Sequence, residues 1–391
     1  MLTSLAYIFL LGLLLGSIFQ KLKLPSLLGM LLTGMLLSPY ALNLLDDKIL
    51  SISGELRQLA LVIILTRAGL SLDLSDLKKV GRPAILMCFV PACFEMAGVI
   101  ILAPILLKVS ILEAAIMGAV IAAVSPAVIV PRMIKLMEEG YGTKNSIPSL
   151  ILAGASVDDV FVIVVFTALT SLALGKGVEA YDFLRIPISI LVGIMVGIVI
   201  GYILYRFFQR FHLRDSAKVI ILLGFSFLLI EFEKRFGDFI PISGLIAIMS
   251  LAATLYKTNG LLAKRLSDKF NRLWVAAEIL LFVLVGATVN LQYALTAGLI
   301  SLVVILFALL FRVAGVYICL LRTKLKKKER FFCMLAYTPK ATVQAAIGAI
   351  PLSMGLACGD KVLTVAVLSI IVTAPFGAFL IDKTYRRLLD R

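Results

Sequence analysis

The sequence predicts an all-α, polytopic membrane protein, and three observations carry that prediction. Of its 391 residues, 61% are hydrophobic and only 16% charged, with a mean hydropathy of +1.07, whereas a water-soluble domain is about 45–50% apolar. The apolar runs are continuous and rich in Leu, Ile, Ala and Gly, without the polar/apolar alternation that a membrane β-barrel strand needs. The basic residues, which give a net charge of +15 and a pI of about 9.6, gather in alternate loops. That is the pattern of membrane orientation and not of a nucleic-acid binder.

At about 20 apolar residues per crossing, about thirteen spans fall near 2–20, 25–42, 50–71, 83–107, 112–137, 148–174, 186–208, 217–235, 238–256, 272–290, 294–320, 329–355 and 361–382. The first has no basic segment before it and is followed by Lys21 and Lys23, so it reads as a retained helix entering from outside rather than a cleaved leader. An odd count then gives N-out/C-in. The inner loops collect Lys78, Lys79 and Arg82; Arg132, Lys135 and Lys144; Arg206, Arg210, Arg214 and Lys218; Lys257 to Arg272; the Arg322–Arg330 run; and Lys383 to Arg391. No loop is long enough for a soluble domain. The Arg322–Arg330 run reads as an anchor on anionic lipid headgroups, with no nucleic-acid partner.

Enzyme chemistry finds no foothold. Cys88, Cys93, Cys319, Cys333 and Cys358 lack metal-ligand or disulfide spacing, and His212 lies in a basic loop. There is no nucleotide motif, metal cluster or catalytic triad, so no cofactor is expected.

A few charges fall inside the spans. A charge at a helix centre costs about 2.5–3.5 kcal/mol on insertion scales and marks function by default. Arg67 lies near a span end and can snorkel. Arg312 and Lys340 lie deep, as do Glu95 in the fourth span and the adjacent Asp158 and Asp159 in the sixth. Fully ionised, those acids exceed the bases by one charge, which one monovalent cation or one proton would neutralise. Neighbouring residues on a helix point about 100° apart, so one Asp can meet a fixed cation while the other faces a water-filled cavity.

Proline interrupts two spans at mid-depth, in Ser125-Pro-Ala-Val-Ile-Val-Pro131 of the fifth and Thr338-Pro-Lys-Ala-Thr-Val-Gln344 of the twelfth. Unwound backbone is tolerated at that depth only where it lines a protein cavity. The two interrupted spans are seven apart, as are those carrying Glu95 and Arg312, so each pair runs in opposite directions. This is the pattern of two inverted repeats with crossed broken helices. Oxygens at Ser125, Ser156, Thr338 and Thr342 are candidates to complete a hard-cation shell.

At these residues the chain resembles the monovalent cation/proton antiporter superfamily, and within it the sodium/proton antiporter branch of NHA-like (sodium/hydrogen exchanger 9B-like) proteins. The resemblance rests on Leu24-Pro-Ser-Leu-Leu-Gly29, Thr66-Arg-Ala-Gly-Leu-Ser-Leu-Asp73, Val124-Ser-Pro-Ala-Val-Ile-Val-Pro131, Ala155-Ser-Val-Asp-Asp159 and Pro339-Lys-Ala-Thr-Val-Gln-Ala-Ala-Ile-Gly348. It implies that Asp159 binds cation or proton, that Asp158 pairs with Lys340 when the ion is absent, and that Glu95 and Arg312 form a core ion pair. It also implies a homodimer with an elevator motion. The dimerisation part would be about 1–80 and 217–290, the core about 81–174 and 294–385, and the linker helix about 186–208. The expected activity is exchange of Na⁺ or Li⁺ for H⁺ across a bacterial-type inner membrane. K⁺/H⁺ antiport, a sodium-coupled organic-anion symporter on the related crossed-helix fold, and a passive channel are the competing readings.

Overall fold

Apolar surroundings leave a membrane chain little choice but the α-helix, which satisfies its backbone N–H and C=O groups within one segment. The computed structural model describes the chain apart from residues 23, 72–80, 175–179, 237–239 and 290, and apart from the side chains of 156, 160, 180–187, 190 and 291–297. Lys23, Lys78, Lys79 and the last two residues of the Thr66–Asp73 motif lie outside the described residues. The regular structure that is described is entirely helical.

In chain order the helices are α1 (Leu2–Lys21), α2 (Ser26–Leu37), α3 (Asp47–Ser51), α4 (Ser53–Leu70), α5 (Arg82–Met87), α6 (Val90–Leu107), α7 (Ile111–Ala122), α8 (Pro126–Glu139) and α9 (Ile147–Ala173). They continue as α10 (Ala180–Arg210), α11 (Asp215–Phe236), α12 (Gly244–Thr258), α13 (Gly260–Ala287), α14 (Leu291–Cys319), α15 (Lys327–Ala336), α16 (Thr342–Ile347), α17 (Ile350–Ser353) and α18 (Gly359–Leu388).

Among the described residues, eight runs are long and apolar enough for a full crossing, against the thirteen expected. The shortfall has two causes. Ser26–Leu37, Gly244–Thr258 and Thr342–Ser353 are short apolar helices, while α4 and α11 carry charges near their ends. The expected tenth span, 272–290, begins earlier, at Gly260. Lys264, Arg265, Lys269 and Arg272 are good helix formers with no Gly or Pro between Gly260 and Gly286 to stop the turn, so an inner loop in the sequence reading is helix.

Both anticipated breaks are present. Residues 123–125 separate α7 from α8, with Pro126 at the first position of α8, and residues 337–341 separate α15 from α16. A third break was not anticipated. The fourth span, expected as continuous, is interrupted at Cys88 and Phe89 between α5 and α6. Pro91 explains it, because its ring nitrogen has no hydrogen to give the carbonyl four residues earlier, that of Met87.

The chain divides into two compact units. The first comprises residues 1–54, 74–174 and 281–391. In it α2 crosses the end of α13 with backbones touching: a Cβ on Gly34 would lie 1.9 Å from the Val283 carbonyl oxygen, and one on Gly286 2.2 Å from that of Leu31. Its α6 and α14 approach at Gly98, which faces Ala308 and Phe311, and at Gly315, which faces Pro91 and Phe94. Small residues are how membrane helices come close enough for dispersion and polar contacts to act. In this unit they bring Glu95 and Arg312 together. Where α8, α9, α15 and α18 pack together lies an apolar cluster that includes Leu136, Ile151, Phe332, Tyr337, Ile381 and Tyr385.

The second unit comprises residues 55–73 and 175–280. Gly193, Gly197 and Gly201 form a four-residue-spaced stripe on α10 against α12. Added Cβ atoms would lie 2.8, 2.4 and 2.7 Å from the carbonyl oxygens of Ser243, Ala247 and Leu251. At one end of this unit Asp215 meets Arg265 at 3.0 Å and Lys218 at 3.6 Å.

Candidate functional site

Three broken helices meet in the first unit, and the question they pose is where the freed backbone groups go. The two mid-span breaks first bond to each other. Ser125 N–H donates to the Pro339 carbonyl at 2.8 Å, and Gln344 Nε2 donates to the carbonyl of Ala123 at 2.8 Å. The backbone N–H of Lys340 finds Thr373 Oγ1 of α18 at 2.9 Å. Gly377, one turn further along α18, is required there, since a Cβ would lie 2.5 Å from Pro339 Cγ.

Arg312 accounts for most of the rest. From α14 it donates Nε to the Tyr337 carbonyl at 2.7 Å and Nη1 to the carbonyl of Ala122, the C-terminal ends of α15 and α7. A cation there complements the partial negative charge of both helix ends. Its remaining donors meet acids, Nη1 to Glu95 at 2.8 Å and Nη2 to Asp158 at 2.8 Å. Asp158 Oδ2 also accepts the Val124 N–H at 2.8 Å. Lys340 Nζ donates to Glu95 Oε2.

Glu95, Asp158, Arg312 and Lys340 are all buried and form one chain of contacts, Lys340 to Glu95 to Arg312 to Asp158. The expected pairing of Asp158 with Lys340 is not made. The reason lies in the two cations: a guanidinium is a planar fork with five donors and can bridge two carboxylates and two carbonyls, whereas an ammonium acts as a point charge. Arg312 therefore takes Asp158, and Lys340 goes to Glu95.

Asp159 stands apart, as a step of about 100° from Asp158 requires. It is partly exposed, and its Oδ1 has no hydrogen-bond partner. Asp158 Oδ1, Ser125 Oγ, Thr342 Oγ1 and Gln344 Oε1 are also buried and unpartnered. Thr338 Oγ1 is engaged with the Leu335 carbonyl at 2.8 Å. Ser156 lies on α9, and its side chain is outside the described ones.

Two residues of this arrangement are not singled out by the sequence pattern. Gln344 is fully buried, but it closes a proline motif at the edge of an apolar run and carries no charge to mark it. Tyr337 sits at the end of α15 with its ring centroid 5.0 Å from the Arg312 guanidinium carbon. The signal that could have found it is Pro91, whose missing donor demands a substitute.

A family model described as "Sodium/hydrogen exchanger, transmembrane" matches residues 6–382. The chain is 33% identical over 389 residues to sodium/hydrogen exchanger 9B2 of Homo sapiens, covering 94% of this chain and 70% of that protein. It is 30% identical over 399 residues to sodium/hydrogen exchanger 9B1 of Homo sapiens, covering 96% and 76%. Among solved structures, the sodium proton antiporter MjNhaP1 from Methanocaldococcus jannaschii at pH 8 superposes with a TM-score of 0.86 at 18% identity. It covers 99% of this chain and 98% of that one.

Proposed function

The chain belongs to the sodium/hydrogen exchanger family, in its 9B-like branch, and on that premise we propose that it is a secondary antiporter exchanging Na⁺ or Li⁺ for H⁺ at Asp159. The observation that carries the reading is the charge balance of the site. Two acids and two bases close on one another through Arg312 and Glu95, and Asp159 remains as one carboxylate in excess. Its Oδ1 has no partner, and Asp158, Ser125 and Thr342 likewise carry buried oxygens without partners. Hard oxygen donors of this kind suit an alkali cation, and a carboxylate that holds a proton releases the cation. Competition for one site, exposed in turn to each side, couples the two fluxes.

The remaining elements follow from the sequence pattern and, for the dimer and its motion, from the family resemblance. About thirteen spans run N-out/C-in across an inner membrane, in two inverted repeats. The chain pairs as a homodimer through the parts at about 1–80 and 217–290. The core, about 81–174 and 294–385, moves as an elevator past them, joined by the helix at about 186–208. Basic loops such as Arg322–Arg330 rest on anionic lipid headgroups.

One cation exchanges for one proton, because only Asp159 changes charge state while the other four groups stay compensated. Proteoliposomes with a trapped pH dye test this. Na⁺ or Li⁺ added to one side drives proton efflux; a response to K⁺ alone would replace the assigned cation, and no response to any alkali cation would sink the antiport reading. Clamping the membrane potential with valinomycin and potassium tests the ratio, since one-for-one exchange leaves the equilibrium ion distribution independent of voltage.

A further inference from the structure

Tyr337 is fully buried and contacts the site's framework in three ways. Its hydroxyl donates to the Met87 carbonyl at 3.0 Å, the acceptor that Pro91 leaves without an N–H. Its own carbonyl accepts from Arg312 Nε at 2.7 Å. Its ring lies against the Arg312 guanidinium, 5.0 Å from centroid to carbon. A fourth element accommodates it: Gly154 lies one turn before Asp158 on α9, and a Cβ there would sit 2.7 Å from the Tyr337 hydroxyl and 3.0 Å from Met87 Cβ.

We propose that Tyr337 is a positioning residue for ion exchange, acting through Arg312 and the fourth-span break to keep Asp158 engaged and Asp159 free. The inference rests on the assignment of Asp159 as the ion-binding carboxylate. A buried hydroxyl without a partner is unfavourable, so a position that only needed filling would be served by Phe. This hydroxyl instead completes the hydrogen bonding of α5 at the point where the helix is interrupted. Glu95 follows Pro91 by one turn on α6, so the break that Tyr337 secures also sets where Glu95 meets Arg312. The edge of Arg312 is held by two carboxylates and two carbonyls, and one face is covered by the Tyr337 ring, the favourable geometry for a cation on an aromatic. Without the ring the guanidinium has room to turn, which loosens its bonds to Asp158 and Glu95.

Sodium-driven proton flux in proteoliposomes, with purified variants checked by thermal unfolding, tests the proposal. Tyr337→Phe should raise the apparent KM for Na⁺ by about 3–10-fold, the range one uncharged hydrogen bond spans, and shift the pH midpoint of activity, with the maximal rate within about two-fold of the unmodified protein. Gly154→Ala should shift KM in the same direction, because its methyl meets the hydroxyl. Adding Tyr337→Phe to Gly154→Ala should recover part of that loss, since the clashing oxygen is gone. Tyr337→Leu, which removes the ring, should shift KM further. Tyr337→Phe with unchanged KM and pH profile, whether or not its melting temperature falls, overturns the inference. Asp159→Asn in the same assay separates the two readings. Transport by that variant at the unmodified rate removes the ion-site assignment itself, whereas its silence beside a normal Tyr337→Phe removes only the positioning role of Tyr337.

Discussion

Two helix crossings in this molecule use the same device for different ends. In one unit, α10 and α12 meet along Gly193, Gly197 and Gly201, whose missing side chains let carbonyl oxygens approach the opposite backbone. In the other, α6 and α14 meet at Gly98 and Gly315, but between those contacts they bury Glu95 against Arg312. The first crossing is held by dispersion and weak polar contacts between backbones. The second uses close approach to bring charges together in a medium that would not tolerate either alone. What differs is therefore not the packing rule but what the packing encloses, and the two crossings should fail in different ways.

The sharpest contrast comes from removing a charge that no partner needs. Asp159→Asn keeps nearly the same volume and leaves the other four groups paired, so cation-driven proton flux should fall to background while the melting temperature stays within a few degrees. Asp158→Asn should be less clean, because it also takes an acceptor from Arg312 and from Val124 N–H.

Next in size is Glu95→Gln. Glu95 serves both Arg312 and Lys340, so the change strands two cations; breaking a buried pair costs about 3–5 kcal/mol in soluble proteins. Unfolding of the purified protein in detergent should report a loss of that order, and combining Glu95→Gln with Lys340→Met should restore part of it, because the Lys340 ammonium is held by Glu95 whereas Arg312 still has Asp158. A double variant no more stable than the single would show that the charges do not depend on each other.

Gly197→Leu addresses the uncharged crossing. A side chain at a position whose Cβ already lies 2.4 Å from a carbonyl oxygen forces the helices apart, and overpacking of this kind typically costs about 1–3 kcal/mol. Pairing the change with Ala247→Gly should give little back, because the obstacle is the backbone carbonyl and not the alanine methyl. Full recovery in the pair would mean that side chains, and not backbone contact, set the spacing.

The smallest effect is expected at the exposed end of the first unit, where Lys326 Nζ meets Asp390 Oδ2 at 2.5 Å. Lys326 holds the Asp390 carboxyl below the usual range, and Asp390 holds the Lys326 ammonium above its own. The carboxylate's contribution is present above the ordinary Asp value and disappears as pH falls through the lowered one. The ammonium's is present below the ordinary Lys value and disappears as pH rises through the raised one. Asp390→Asn should therefore alter melting temperature slightly at neutral pH and not at all at strongly acidic pH, and about 1 M salt should erase even the neutral-pH difference.

Much of the site was legible in the sequence because burying a charge in a membrane is so unfavourable that its mere position betrays it. Glu95, Asp158, Asp159, Arg312 and Lys340 were found this way, and the breaks at 123–125 and 337–341 from their prolines. Pro91 lies inside the expected fourth span, 83–107, and a lone proline in a membrane helix does not by itself mark a break, because neighbouring groups can satisfy the carbonyl it frees. Its effect depends on Met87, and the remedy comes from Tyr337, 250 residues away.

By itself the sequence determined that this chain is helical, that it crosses a membrane repeatedly, and which charged groups must be hidden together. Those follow from local composition and from the energy of placing one residue in an apolar medium. The tertiary structure decided which charge answers which. That choice turned on reach and shape: a five-donor guanidinium on α14 lay within range of two carboxylates and two helix ends, while the ammonium of Lys340 met Glu95. Partner choice among like-charged groups depends on distances between segments far apart in the chain, and no local pattern encodes it.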